Sequence, residues 1–245
     1  MRFVDSHVHL SDFGDPAAVV REAKEVGTLL LAASIDGESS FKTLSIAEMF
    51  PKTVRGFVGV HPSEAGKARG LDWLADALNG AAGVGEIGLD PHYEPQSTRL
   101  DQERVCETQL AAAEKAGKPV QVHTRGAEKG CLDILSSYTI TSVLLHWFEG
   151  EDLLEIARER GYYVSFGPAL LRSVRLQRMA KKYERDLVLA ETDGPVPFKE
   201  LNGTRGPFLI PSVVFKLSEI FQEDFDRTCR RLESNAAKYL SAGKG

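Results

Sequence analysis

Residues 3–10 read Phe3-Val4-Asp5-Ser6-His7-Val8-His9-Leu10. The stretch starts as an apolar, β-branched strand and ends on two histidines one residue apart. An open, doubly wound nucleotide-binding sheet carries Gly-x-Gly-x-x-Gly after its first strand. Here His7-Val8-His9 stands in that place, and the glycines of Gly83-Val84-Gly85 and Gly85-Glu86-Ile87-Gly88 lie inside a strand pattern. The open sheet is therefore disfavoured from the first strand onward.

Seven more runs of the same kind follow, at 28–34, 54–61, 84–89, 120–124, 142–147, 162–166 and 187–192. Successive runs end roughly 20 to 37 residues apart, enough for a strand, a helix and two loops. The intervening stretches carry helix signals. Asp15-Pro16 caps one, Val19, Ala23 and Val26 stripe it, and Gly27 stops it. Leu71, Leu74, Ala75 and Leu78 stripe the next clear helix, residues 100–116 and 153–160 make two more, and Phe225, Cys229, Leu232 and Ala236 mark the last. Eight such units in 245 residues, with no low-complexity linker, predict an α/β fold: a single (β/α)8 TIM-type barrel over 1–245.

In such a barrel the functional groups project from the C-terminal ends of the strands. His7 and His9 end the first run, His61 the third, Glu86 and Asp90 the fourth, His123 and Arg125 the fifth, His146 the sixth and Asp193 the eighth. Alternation predicts that Asp5, His7 and His9 share one face, with His7 and His9 about 6.6 Å apart along the strand. A lone histidine at a strand end is ordinarily a hydrogen-bonded core residue. Several imidazoles and two carboxylates around one apolar mouth need a compensating charge, and they are a ligand set for divalent cations. Asp5 is expected to hydrogen-bond a ligand histidine.

Composition bounds the partners. Apolar residues make up 42% and charged residues 27% of the chain, near globular averages, and the net charge is −5. That charge opposes wide, non-specific binding of duplex nucleic acid, although cations could serve a small nucleic-acid site. Cys106, Cys131 and Cys229 form no patterned pair, and no signal peptide or membrane-length apolar run is visible. A reduced, cytoplasmic protein without a membrane or protein partner is expected.

These residues carry a resemblance. Gly59-Val60-His61-Pro62, Gly85-Glu86-Ile87-Gly88-Leu89-Asp90, Val122-His123-Thr124-Arg125, His146-Trp147-Phe148-Glu149-Gly150 and Glu191-Thr192-Asp193-Gly194-Pro195 join the opening stretch. With Arg205-Gly206-Pro207 and Glu233-Ser234-Asn235, they resemble the TatD family of metal-dependent deoxyribonucleases along essentially the whole chain. The resemblance implies phosphodiester hydrolysis, often 3′→5′ from DNA or oligonucleotide ends, with two divalent cations (zinc, manganese or magnesium). His7, His9, Glu86 and Asp193 would hold the first, and Glu86, His123 and His146 the second, with Glu86 shared. It differs at His146-Trp147-Phe148-Glu149, where His-Cys-Phe-Ser is common, and at Pro91-His92-Tyr93 and Gly167-Pro168. These loops shape the substrate.

The implied roles follow from charge. The cations would supply charge that activates a water for attack on the phosphate; Asp193 would take its proton, Glu86 would be the ligand shared by both sites, and His61 would donate to the phosphoryl oxygens. Arg125 either contacts phosphate or neutralises Asp90; Glu191 is expected to be a buried, hydrogen-bonded carboxylate. His92 and Arg172 are candidate substrate contacts, Arg172 heading the basic stripe Arg172, Arg175, Arg178 and Lys182. Two rivals stand beside this reading. A related amidohydrolase would cleave amides, lactones or esters, but many carry a carboxylated lysine where Glu86 stands. A catalytically silent barrel serving as a binding subunit should have lost a ligand, and none is missing.

Overall fold

The computed structural model describes residues 3–198 and 206–241; Arg205, part of the family resemblance, lies outside them. Eight parallel strands form one sheet in the order of the chain: β1 (Phe3–Val8), β2 (Thr28–Ala32), β3 (Val54–Val58), β4 (Gly83–Gly88), β5 (Val120–His123), β6 (Val143–His146), β7 (Tyr163–Phe166) and β8 (Val188–Ala190). The helices between them are α1 (Pro16–Glu25), α2 (Gly37–Met49), α3 (Asp72–Leu78), α4 (Arg99–Ala116), α5 (Glu128–Leu135), α6 (Leu154–Glu159) and α7 (Val174–Lys182). Two more, α8 (Ile210–Phe221) and α9 (Phe225–Ser241), follow the last strand. This is the expected barrel. Among the described residues no helix is long and apolar enough to cross a membrane.

The sheet closes just past the ends of β1 and β8. Asp193 N donates to His7 O at 2.9 Å and His9 N to Gly194 O at 2.7 Å. Below them the Asp5 carboxylate accepts from Thr192 N at 2.9 Å and from Thr192 Oγ1 at 2.5 Å. Asp5 therefore clasps the first strand to the last, and the partner of His7 Nδ1 is another residue, Gln121. Burial pushes the Asp5 carboxyl up to about 8 despite the Thr192 bonds, so the clasp is made by a group that resists ionisation.

Two strands break the alternation that the sequence suggests. In β1 the pairing with β2 shifts between Asp5 and Val8. Val4 packs with Leu31, Phe57, Leu144, Tyr163 and Leu189 on the inside, while Val8 joins Leu30, Ala32 and Val20 under the helices. Two residues thus separate the inward-facing Val4 from His7, where strict alternation allows one, and Asp5 does not share the face of His7. In β4 the shift lies between Val84 and Ile87, both of which pack outward. A Cβ on Gly85 would meet the inward Gln121 side chain at 2.7 Å, so Gly85 faces the interior. The shift turns its neighbour Glu86 inward as well.

The bottom of the barrel is plugged from α9. Tyr239 is fully buried, its ring lies 6.1 Å from that of Phe57 and 5.5 Å from that of Tyr163, and its hydroxyl donates to Val120 O at 2.9 Å. One side chain touching β3, β5 and β7 has to sit on the barrel axis.

Candidate metal centre

Above that plug the interior turns polar. His7, Glu86, His123 and His146 come from four strands; His9 follows β1 directly, Asp193 lies three residues past the end of β8, and all six are buried. His61, expected to end its strand, lies three residues past it: β3 stops at Val58, and His61 caps the short 3-10 turn Pro62–Lys67. Ligand atoms converge within 4.8 Å in three sets: His7, His9 and Glu86; His7, His146 and Asp193; and His61, Glu86 and His123. Glu86 Oε2 is 3.4 Å from His7 Nε2 and 3.2 Å from His9 Nε2. Its Oε1 is 2.5 Å from His123 Nδ1 and 3.7 Å from His146 Nε2.

The outward nitrogens decide what the inward ones offer. Gln121 Nε2 donates to Ser6 O, which leaves Gln121 Oε1 to accept from His7 Nδ1 at 3.0 Å. His146 Nδ1 faces Glu191 Oε2 at 2.8 Å, and His123 Nε2 faces Asp90 Oδ2 at 2.8 Å. Each ring donates on its outer side, so its lone pair points into the centre. His61 is the reverse case. Its Nδ1 accepts from the backbone N–H of Ser63 at 3.1 Å, so the neutral ring carries its hydrogen on Nε2. That nitrogen points towards Glu86 Oε1, 3.9 Å away. His61 thus offers a donor where His7, His123 and His146 offer lone pairs.

Charge tells the same story. Burial alone would raise the Glu86 and Asp193 carboxyls, but the surrounding imidazoles hold both below their usual range. Burial also disfavours charge on His9 and His146, yet the carboxylates overcome it. Hydrogen bonds to Asp193 and Glu86 lift His9 to about 10, and the charges of Glu191 and Asp193 lift His146 to about 9. Burial drops His61 to about 3 against the pull of Glu86, so it stays neutral. Buried carboxylates that draw protons onto neighbouring rings lack counter-charge, and a divalent cation supplies it by displacing those protons. His9 Nδ1 is buried without a hydrogen-bond partner among the described residues. The residues present fit divalent cations.

Asp90 anchors the outer side. Its buried carboxylate takes His123 Nε2, His92 Nδ1 at 2.8 Å, and Arg125 through Nε at 2.8 Å and Nη2 at 2.7 Å. The Arg125 side chain stays 41% exposed above the Tyr93 ring, and His92 is 62% exposed. Of the two roles open to Arg125, the pairing with Asp90 is present, and Nη1 remains for a further contact. Glu191 is a buried, hydrogen-bonded carboxylate, held by Ser165 Oγ at 2.5 Å as well as by His146.

The basic stripe turns out differently. Arg178 and Lys182 engage Glu151, and Arg175 pairs with Glu149. Arg172 is exposed and lines neither the basin over the six residues nor the groove beside it. Spacing on α7 was legible, but the acidic loop after β6 that absorbs its charge was not. Gln121 and Ser63 were missed altogether. Gln121 sits two residues before His123, a spacing that places both on one face.

Comparison with known proteins agrees with the geometry. The family described as TatD related DNase matches residues 4–241. The chain belongs to the TatD family. It is 30% identical to the deoxyribonuclease TATDN3 of Homo sapiens over 212 residues, covering 78% of this chain and 77% of that protein. It is 27% identical to the 3′-5′ ssDNA/RNA exonuclease TatD of Edwardsiella piscicida, covering 91% and 92% of the two. The crystal structure of YJJV, a TatD homolog from Escherichia coli K12, superposes with a TM-score of 0.88 at 25% identity, covering 97% of each chain. As a TatD member this protein is a hydrolase.

Proposed function

We propose that this TatD hydrolase cleaves phosphodiester bonds at the 3′ ends of DNA strands, in the cytoplasm, with two divalent cations. The observation that carries the reading is the convergence of inward lone pairs on two buried carboxylates. His7, His9, Glu86 and Asp193 would hold one cation and Glu86, His123 and His146 the other. When bound, the cations supply charge that lowers the pKa of water and offsets charge on the phosphoryl oxygens.

The chain's own groups do the rest. Asp193 Oδ1 lies 3.4 Å from His9 Nε2 and 3.8 Å from His7 Nε2 and from His146 Nε2. Its neighbours hold it ionised, so it takes the proton from the attacking water. His61 presents Nε2–H to a phosphoryl oxygen, and its low pKa keeps it a neutral donor across the working range. Arg125, fixed by Asp90 through two nitrogens, gives its third to a phosphate, and His92 stands beside it on the groove.

End-labelled single strands test the reading. Wild type with added divalent cation releases mononucleotides from the 3′ end, and elemental analysis finds two ions per chain. Asp193→Asn keeps the shape and loses the proton acceptor, so turnover falls by at least ~10² while the melting temperature holds. Near-normal turnover in that variant at saturating cation rules Asp193 out as the acceptor; one ion or none rules out the pair.

A further inference from the structure

The basin over the six residues encloses about 280 Å³, and the groove beside it about 920 Å³. Among the described residues, Arg125 and Trp147 line both. A strand leaving the basin along the groove has to pass them. One is a half-exposed cation with a free nitrogen, the other the largest aromatic ring available to a protein. These match the two recognisable parts of a nucleotide, its phosphate and its base.

Trp147 is held for such a role. Its backbone has φ +46°, a region that bulky side chains rarely adopt and that persists where the surroundings impose it. The indole Nε1 donates to Glu149 Oε1 at 3.2 Å. Arg175 grips Glu149 in turn, through its carboxylate and through its carbonyl oxygen at 3.0 Å. The Phe198 ring lies nearly parallel to the indole, with centroids 6.3 Å apart, and the His146 ring meets it edge-on at 6.0 Å. Arg175 thereby neutralises a carboxylate that would repel a phosphate, and fixes the ring's orientation.

We propose that Trp147 is the base platform of the substrate: the nucleotide adjoining the cleaved bond stacks its base on the indole while its phosphate meets Arg125. The inference rests on the phosphodiesterase reading and adds a specificity-determining residue to it. Stacking tolerates any base, because every base has a π-face. The enzyme therefore discriminates between a base and none rather than among sequences.

Two oligonucleotides test this, identical except that one lacks the base next to the cleaved bond. The ratio of their kcat/KM values, base-bearing to abasic, falls about tenfold in Trp147→Ala. Trp147→Phe, which keeps an aromatic face, retains most of it. A second readout needs no turnover. The chain has 2 tryptophans, and Trp73 packs against Phe41, 5.9 Å away. In Trp73→Phe, a hydrolysis-resistant phosphorothioate strand quenches the Trp147 fluorescence, and its abasic counterpart does not. An unchanged ratio in Trp147→Ala, or equal quenching by both strands, overturns the platform. A wild type that cleaves neither oligonucleotide overturns the phosphodiesterase reading and the platform with it.

Discussion

Along β6 the inward residues are Leu144 and then His146. Along the β8 segment they are Leu189, then Glu191 and Asp193, and along β7 Tyr163 and then Ser165. The lower layer is apolar, close-packed around Tyr239, and complete in itself. The upper layer, one inward position further on, is made of imidazoles and carboxylates whose charges balance only through shared protons. The lower layer is where the barrel gains stability; the upper layer is a polar burial that the fold tolerates because the lower one holds it.

The largest expected effect comes from removing the charge that joins the upper layer. Glu86→Gln keeps the volume and deletes a carboxylate facing His7, His9, His123 and His146. Both proposed cation positions share it, so ion content and turnover should fall together, turnover by roughly 10³. The melting temperature gives the complementary reading. Cation at a hundred times its Kd should stabilise wild type by about 2.7 kcal/mol for each site it fills, and chelation should remove that gain. In Glu86→Gln chelation should change little. A variant that keeps both ions refutes the shared ligand.

Tyr239→Ala probes the other layer. Removing a buried aromatic ring typically costs about 3–5 kcal/mol, and here it also removes the hydroxyl that donates to Val120 O. Urea unfolding should show a loss of that size, with activity per folded molecule preserved. If turnover falls while stability holds, the division between the layers fails.

How much of this was legible follows the same division. The strand ends, the six candidate residues and the barrel were readable because period-2 runs and ionisable residues in apolar settings leave marks in a single chain. The inward turn of Glu86 was not readable from alternation, since the β4 register shift overrides it. Asp5 was only partly legible for the same reason: the β1 shift turns it towards Thr192, so it meets His7 through the backbone N at 3.3 Å, and the tie to the imidazole falls to Gln121. Tautomers escaped too, because the Ser63 N–H that makes His61 a donor depends on a turn geometry and not on residue type. The α7 stripe shows the limit of charge counting. Periodicity gave its face correctly, but its partners Glu149 and Glu151 lie on a different loop.

The smallest effect concerns how far the polar layer's influence reaches outward. Arg125 and Arg172 were both candidate substrate contacts, yet they stand differently. Arg125 lines basin and groove and is steered by Asp90; Arg172 is exposed outside both and has no ion pair among the described residues. Each phosphate contact on a single strand adds about 0.7 to the log–log dependence of binding on salt. Arg125→Ala should therefore flatten that slope by about 0.7, while Arg172→Ala should leave slope and affinity where they were. The comparison is best made on a phosphorothioate strand by fluorescence anisotropy, so that cleavage does not deplete the ligand. If Arg172→Ala flattens the slope and Arg125→Ala does not, the strand leaves the basin over β7, away from Trp147. Equal flattening by both would mean that the substrate spans the two sides, and that the groove beside Arg125 is one of two exits.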